Sequence, residues 1–222
     1  MTMKLKIAMD GPCASGKSTV AKLLAVRLGY KLINTGAMYR AVGLTAIEKG
    51  IDPLDEEAVK AILPEVKVDF EGPASNQRVI LNGRDITERI AEPDVASAAS
   101  SASSLLPVRE DLVAQQQALA KEGGVVLEGR DIGTVVLKDA ECKFYIVASI
   151  EERARRRLLD YERMGIKKSL AEVQEELSIR DKNDMTREHS PLKKADDAIE
   201  IDTTGLTIDK VIEKLMAYIE AV

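Results

Sequence analysis

The chain has 222 residues, a length that fits one large domain or one domain with an insertion. Hydrophobic residues make up 45% and charged residues 31%, which allows a sizeable buried core and excludes a disordered chain. The net charge of -5 argues against a protein that coats nucleic acid, and the single histidine excludes multi-histidine zinc sites. Because there are only two cysteines and no apolar run near the ~20 residues of a membrane helix, we expect a cytoplasmic protein.

The first elements alternate between strand and helix. A short apolar run predicts a strand over Lys4–Met9, and apolar residues at helical spacing predict a helix from Gly16 to Leu28. A second strand over Tyr30–Asn34 and a second helix over Gly36–Lys49 follow. This alternation predicts a parallel sheet flanked by helices.

The pattern changes over residues 64–94, where apolar and polar residues alternate as they do in half-buried strands. Two such stretches, Val66–Phe70 and Arg78–Asn82, are separated by turn-forming residues, and Asn82-Gly83 is typical of a tight turn. We therefore predict a small antiparallel sheet inserted into the α/β body.

The remaining chain returns to elements of a parallel α/β fold. The predicted strands are 125–127, 143–148 and 198–201, and the predicted helices are 107–121, 151–164, 170–187 and 208–219. The Ala- and Ser-rich stretch 95–104 has two interpretations at this point, a helix packed closely on a neighbour or a functional segment.

A phosphate-binding loop follows the first predicted strand. The residues Gly11-Pro12-Cys13-Ala14-Ser15-Gly16-Lys17-Ser18 match the pattern Gly-x4-Gly-Lys-Ser/Thr without a mismatch and open a helix. Backbone N–H groups at such a helix end bind phosphate, Lys17 adds a positive charge, and the Ser18 hydroxyl joins the shell of a Mg²⁺ ion. We predict an ATP site formed by Gly11, Pro12, Cys13, Ala14, Ser15, Gly16, Lys17, Ser18 and Thr19, with Ser18 as the metal-binding residue.

A second anion site is predicted beside this loop. The chain lacks the Asn-Lys-x-Asp signature of GTPases, and its arginine-rich C-terminal half favours phosphoryl transfer to a small acceptor. Thr35 is placed to cap the second helix and leave N–H groups free for an anion, and Arg40 is placed to grip a monophosphate. The alternative is a plain cap and a solvated arginine.

Several motifs together resemble one family, the bacterial cytidylate kinases, which are P-loop nucleoside monophosphate kinases. The motifs are Gly11–Ser18, Asn34–Arg40, Glu128–Val136, Ser149–Arg157, Ile179–Arg187 and Ser190–Leu192. They stand in the family's order over nearly the whole chain and include the inserted sheet. The resemblance implies transfer of the γ-phosphoryl group of ATP to CMP, and to dCMP, with Mg²⁺.

The resemblance also implies an architecture. It is an α/β fold of the P-loop NTPase type, a parallel sheet flanked by helices, with a small inserted antiparallel-sheet subdomain that binds the monophosphate and a helical lid. The implied division is a core of 1–63, 95–150 and 190–222, an insertion of about 64–94 and a lid of about 151–189. We expect a monomer without nucleic-acid or membrane partners.

Residue roles are carried over from the family position by position. The CMP-binding positions are Thr35, Arg40 and Arg130 for the phosphate, Ser100, Arg109 and Asp131 for cytosine, Arg180 and Asp184 for ribose, and Arg187 as a further pocket arginine. An ionised Asp131 accepts a hydrogen bond from the cytosine amino group and disfavours uracil, which presents a carbonyl there. The alternative for Asp131 is a cap or loop carboxylate paired with Arg130. Arg180, Asp184 and Arg187 are spaced to share one helix face.

Lys17, Arg130, Arg153 and Arg157 are the implied catalytic residues. Arg153 and Arg157 share a helix face with Arg156 at the start of the lid, and the alternative is a solvated basic helix. Relatives often have Asp at the position of Glu128, and the sequence leaves open whether Glu128 or Asp10 organises Mg²⁺ through water. Two rival functions stay open, a kinase for UMP or another monophosphate and a non-catalytic nucleotide-binding regulator.

Overall fold

The computed structural model describes residues 4–222, in which eight strands and eight helices are found. The strands are β1 (Lys6–Asp10), β2 (Lys31–Asn34), β3 (Val68–Glu71), β4 (Arg78–Leu81), β5 (Arg84–Asp85), β6 (Val125–Gly129), β7 (Cys142–Val147) and β8 (Ile199–Asp202). The helices are α1 (Lys17–Leu28), α2 (Thr35–Glu48), α3 (Glu56–Ile62), α4 (Pro93–Ala102), α5 (Leu106–Leu119), α6 (Ile150–Arg163), α7 (Leu170–Thr186) and α8 (Ile208–Ile219).

Five of the strands form one parallel sheet in the order β2-β6-β1-β7-β8. The register pairs Asp10 with Gly129 and Asn34 with Glu128, so β1, β2 and β6 end at the same level. Ligands of open parallel sheets bind at this edge, beyond the carboxyl ends of the strands. The predicted α/β fold is confirmed, and the sheet brings three of the predicted motifs to one edge.

Two hydrophobic layers cover the sheet. One layer contains Leu24 of α1, Phe144 of β7 and Leu215 of α8, and the other contains Met38 of α2 and Leu112 of α5. All five side chains are buried. Helices on both faces explain why the strands read as continuous apolar runs.

The Ala- and Ser-rich stretch forms α4, which packs closely on α2. A Cβ atom at Gly43 would lie 2.7 Å from the Ala99 nitrogen, so the two helix backbones approach as closely as glycine permits. The predicted helix is confirmed, and its small residues serve this approach. Ser100 stays exposed on the side that faces the cavity described below.

The inserted sheet has the predicted antiparallel pairing, β3 with β4 and β4 with β5. Asn82 and Gly83 have positive φ angles of 52° and 80°, as a tight hairpin turn requires. Gln77 docks this sheet on the core, because its Nε2 donates to the Leu32 carbonyl at 2.8 Å. The division of the chain at 64–94 and 151–189 stays a prediction, and residues 1–3 of the predicted core lie outside the described residues.

Two local predictions are wrong. The cap of α2 is Asn34, whose Oδ1 accepts from the Ala37 N–H at 3.1 Å, because the Thr35 hydroxyl instead donates to the Glu128 carbonyl at 2.8 Å. Helix α7 ends at Thr186, so Arg187 follows in an extended conformation and does not share a helix face with Arg180 and Asp184.

Helix α3 was not anticipated, although Asp55 caps it in the usual way by accepting from the Ala58 N–H at 3.1 Å. None of the helices within residues 4–222 combines the length and the apolar character that a bilayer crossing requires.

Candidate active site

A cavity of about 340 Å³ opens at the carboxyl edge of the sheet. Its walls come from the phosphate-binding loop, α2, α4, the end of β6 and α7. The predicted site residues that line it are Cys13, Ala14, Lys17, Ser18, Thr35, Arg40, Ser100, Arg130, Asp131, Arg180, Asp184 and Arg187. Predicted residues that do not line it are Gly11, Pro12, Ser15, Gly16, Thr19, Arg109, Arg153 and Arg157.

The phosphate-binding loop has the backbone that phosphate binding needs. Gly11 has a φ of 147°, and a Cβ there would lie 2.1 Å from the Ile146 carbonyl oxygen, so only glycine fits. Gly16 precedes α1 with a left-handed φ of 89°, and the Lys17 ammonium donates to the Pro12 carbonyl at 3.2 Å. The loop thus curls around the amino end of α1, where N–H groups and the helix dipole attract anions.

The Lys17 ammonium is buried, with 6% of the residue exposed. Burial and then the charge of Arg130 lower its pKa to about 8, although Glu128 acts in the opposite direction. A bound polyphosphate stabilises a buried ammonium whose pKa is lowered, because the anion replaces the solvation that the ammonium has lost.

Ser18 lies against Glu128 and not against Asp10. The Ser18 hydroxyl donates to Glu128 Oε2 at 2.6 Å, while Glu128 Oε1 is buried and has no hydrogen-bond partner in the described residues. Asp10 accepts from the N–H groups of Ile132 and Gly133, both at 2.8 Å, and burial raises its pKa to about 6. Of the two candidates for a metal-organising carboxylate, only Glu128 contacts the serine.

In the wall of the same cavity, Asp131 forms a buried ion pair with Arg109. The two residues are 4% and 2% exposed, and Arg187 Nη2 lies 3.6 Å from the other Asp131 oxygen. Arg109 stands behind Asp131 and also lies over the Tyr39 ring, 5.4 Å from its centre. A pairing of Asp131 with Arg130 is wrong for this structure, because Arg130 pairs elsewhere.

The lining of the cavity carries an excess of positive charge. Lining it are five cationic residues, Lys17, Arg40, Arg130, Arg180 and Arg187, and three acidic residues, Glu128, Asp131 and Asp184. Arg130 Nε donates to Asp184 Oδ2 at 2.8 Å. Within residues 4–222, Arg40 and Arg180 make no salt bridge, and Arg180 Nε is buried without a partner. Unneutralised guanidinium groups in a concave site favour anionic ligands.

Comparison with known proteins gives the family. Residues 7–221 match the family described as cytidylate kinase. The chain is 47% identical over 222 residues to proteins named cytidylate kinase from Bacillus cereus (strain ATCC 10987 / NRS 248) and Bacillus thuringiensis (strain Al Hakam), covering 100% of this chain and 99% of each of theirs. The chain belongs to the cytidylate kinase family.

As a member of this family, the protein is a nucleoside monophosphate kinase, and a non-catalytic regulator or a kinase for a different monophosphate is not favoured. Its fold also resembles the crystal structure of an uncharacterized protein from Eubacterium ventriosum ATCC 27560, with a TM-score of 0.55, 18% identity and coverage of 99% of both chains.

The arginines of α6 reach the back of the phosphate-binding loop of this cytidylate kinase. Arg153 is 7% exposed and donates to Asp181 at 2.6 Å and to the Cys13 carbonyl at 3.3 Å. Arg156 Nη1 donates to the Ser15 carbonyl at 3.1 Å, and Arg157 lies over the Tyr161 ring, 4.4 Å from its centre. The alternative of a solvated basic helix is therefore wrong for Arg153. No sequence pattern pointed to its partner Asp181, which lies on α7.

Cys13 is predicted to react selectively with thiol reagents. Burial raises the pKa of its thiol, but the positive charges of Arg180, Arg130, Lys17 and Arg157 together outweigh burial and hold the pKa below its usual value of 9.0. Cys142 is 5% exposed, and burial raises its pKa. We expect iodoacetamide to label Cys13 alone and to abolish activity, because the adduct occupies the phosphate site. Peptide mass spectrometry and residual activity would measure both.

ATP at saturating concentration should protect Cys13 from the reagent. A Cys13→Ser variant, whatever its own rate, should lose no activity on treatment. Inactivation of that variant at the rate of the unchanged protein would contradict the prediction.

Proposed function

We propose that this cytidylate kinase transfers the γ-phosphoryl group of ATP to CMP and to dCMP by direct in-line displacement. An oxygen of the monophosphate forms the new bond to the γ-phosphorus while the bond to the β,γ-bridging oxygen breaks, and ADP leaves. The observation that supports this most is a single cationic cavity that is lined both by the phosphate loop and by Asp131, the partner of the buried Arg109.

Charge neutralisation is the main task of the protein in this reaction, because the acceptor is already an ionised phosphate oxygen and needs no general base. We assign the ATP phosphates to the loop N–H groups and Lys17, and the CMP phosphate to Thr35, Arg40 and Arg130. Arg40 suits this role because it lines the cavity without a salt bridge to any carboxylate of the described chain.

We assign further neutralisation to Arg153 and Arg157 of α6. Both side chains are held outside the cavity, by Asp181 and by the Tyr161 ring. They reach the transferring group only if α6 moves inward when the nucleotides bind. Such closure excludes water, which would otherwise hydrolyse ATP.

Mg²⁺ fits the residues at Ser18. The Ser18 hydroxyl donates to Glu128 Oε2, and the other carboxylate oxygen, Glu128 Oε1, has no hydrogen-bond partner in the described residues. No group of three or more His, Cys, Asp or Glu side chains is arranged as a ligand set anywhere in residues 4–222, which agrees with an ion that takes most of its ligands from water and phosphate. Ser18 and Glu128 would hold the ion, which would supply positive charge that neutralises the phosphates.

Recognition of the nucleoside is assigned to Asp131. Its carboxylate, paired with Arg109, would accept from the cytosine amino group, and Ser100 also lines the cavity wall. Asp184 and Arg180 line the cavity between base and phosphate and would meet the ribose, with Arg187 beside them. A ribose contact that does not need the 2′-hydroxyl would explain use of both CMP and dCMP.

The proposal is tested by coupled ADP release with CMP, dCMP, UMP and AMP as acceptors, and by calorimetry of CMP and a non-hydrolysable ATP analogue. We expect CMP and dCMP to be the preferred acceptors and both nucleotides to bind at once to each chain. Equal turnover of UMP and CMP, or only one nucleotide bound per chain, would refute it.

The pKa of Lys17 predicts the pH dependence of ATP capture. The protonated ammonium attracts the triphosphate, so kcat/KM for ATP should be at its maximum below pH 8 and fall as the pH rises through about 8. The kcat value should fall only at higher pH, because the bound phosphates raise the lysine pKa. Initial rates from pH 6.5 to 10 would measure both. A Lys17→Arg variant stays charged, and a decline at pH 8 in that variant would contradict the assignment.

A further inference from the structure

Asp10 is a buried carboxylate whose role the reaction described above leaves open. It ends β1 with 4% of the residue exposed. Its Oδ1 accepts from the Ile132 N–H and its Oδ2 from the Gly133 N–H, both at 2.8 Å. The carboxylate is thus shared between the two first residues of the segment that follows Asp131.

That segment, Ile132–Val136, is a single π-helical turn, and Asp131 stands at its amino end. The first N–H groups of a helical turn have no partner within the turn, and an aspartate at this position ordinarily accepts from them with its own side chain. Asp131 makes no such bond. Its carboxylate is directed away from the turn, to Arg109 and Arg187.

We propose that Asp10 is a positioning residue for the base-reading carboxylate: by binding the N–H groups of Ile132 and Gly133, it keeps Asp131 from capping its own turn and leaves that side chain directed at cytosine. The inference rests on the proposed function, since it takes Asp131 as the group that reads the base.

The packing around Asp10 holds its carboxylate directly against the turn that follows Asp131. A Cβ at Gly133 would lie 3.4 Å from Asp10 Oδ2 and 3.3 Å from Lys143 Cδ, so the turn lies directly against the carboxylate. Two charged side chains also affect the pKa of Asp10: Asp131 raises it and Lys17 lowers it. Without Asp10, the two N–H groups would be buried and unpaired, and Asp131 is the nearest carboxylate in sequence to satisfy them.

The experiment compares Asp10→Asn with Asp131→Asn. The asparagine at position 10 keeps one acceptor oxygen and turns its amide N–H groups toward the other donor, so one of the two bonds is lost. We expect KM for CMP to rise about ten-fold, as for one lost hydrogen bond to a charged group, and the preference for CMP over UMP to fall. Affinity for the ATP analogue, measured by calorimetry, should stay unchanged.

Asp139→Asn is the matched control, since Asp139 is an exposed aspartate whose side chain is 73% exposed and is paired with Lys6. It should leave the CMP/UMP ratio and both KM values unchanged. If Asp10→Asn does not fold, Asp10→Ser replaces it, because it keeps a polar acceptor at this position without the amide N–H groups that would face the two donors. Faster exchange of the Ile132 and Gly133 amide protons in the folded variant is expected by NMR.

The outcomes separate the two claims. If Asp131→Asn changes the CMP/UMP ratio and Asp10→Asn does not, the role of Asp10 is overturned and the proposed function stands. If ATP affinity falls as much as CMP affinity in Asp10→Asn, Asp10 supports the adjacent phosphate loop and the inference is overturned. If Asp131→Asn leaves the ratio unchanged, the proposed base reading fails and this inference fails with it.

Discussion

Replacing Lys17 by methionine is expected to lower kcat by about 10²–10³-fold, the usual effect of removing one electrostatic donor from a transition state. The lysine is buried within the phosphate loop, and the nearest competing group is the Pro12 carbonyl at 3.2 Å. Methionine has a similar length and keeps the apolar packing, but it brings no charge to the phosphates. Single-turnover kinetics with saturating ATP and CMP would separate this loss from weaker binding.

The same substitution should not destabilise the free protein. Burial already lowers the Lys17 pKa to about 8, which means that the folded state holds the ammonium at a cost. The melting temperature of Lys17→Met should therefore equal or exceed that of the unchanged protein. Lys60→Met, on the exposed side of α3, is the matched control and should alter neither rate nor stability. A fully active Lys17→Met variant would refute the assignment of the phosphate loop.

Replacing Asp131 by asparagine is expected to lower kcat/KM for CMP by about 10²-fold and the preference for CMP over UMP by at least ten-fold, from the 1–3 kcal/mol of a base-reading contact. Asparagine presents both a donor and an acceptor, so it no longer rejects the carbonyl of uracil. It also leaves the buried Arg109 guanidinium without a counter-charge. A buried cation that loses its partner costs stability, so the melting temperature should fall as well.

Asp184→Asn is the matched comparison for Asp131→Asn. Asp184 pairs with Arg130, and we assign it to the ribose, a part that CMP and UMP share. Its substitution should lower turnover of both nucleotides alike and leave their ratio unchanged. Steady-state rates for both acceptors with both variants would measure this. An unchanged ratio in Asp131→Asn would remove Asp131 from base recognition.

The order of the elements was predictable because local sequence determines it. Apolar runs of four to six residues, helical spacing and turn residues such as Asn82-Gly83 act over a few neighbours, and each predicted strand and helix appears within a few residues of its expected bounds. The phosphate loop was predictable for the same reason, since its chemistry lies in eight consecutive residues. Two of the errors fall at element ends. The Thr35 hydroxyl donates to the Glu128 carbonyl, which is distant in sequence, and Arg187 leaves the helix and donates to the Ser190 carbonyl.

Local patterns and motifs are enough to predict a parallel α/β protein with a phosphate loop and to show which family it resembles. The pairing of charged groups, by contrast, follows from the three-dimensional arrangement of the chain. In the fold, Glu128 accepts from Ser18, Asp10 accepts from the turn after Asp131, and Asp131 pairs with Arg109. The partners are 22 to 122 residues apart in sequence. Such pairings depend on where strand ends and helices meet in space, and an electrostatic energy that varies with distance cannot be evaluated until the fold sets those distances.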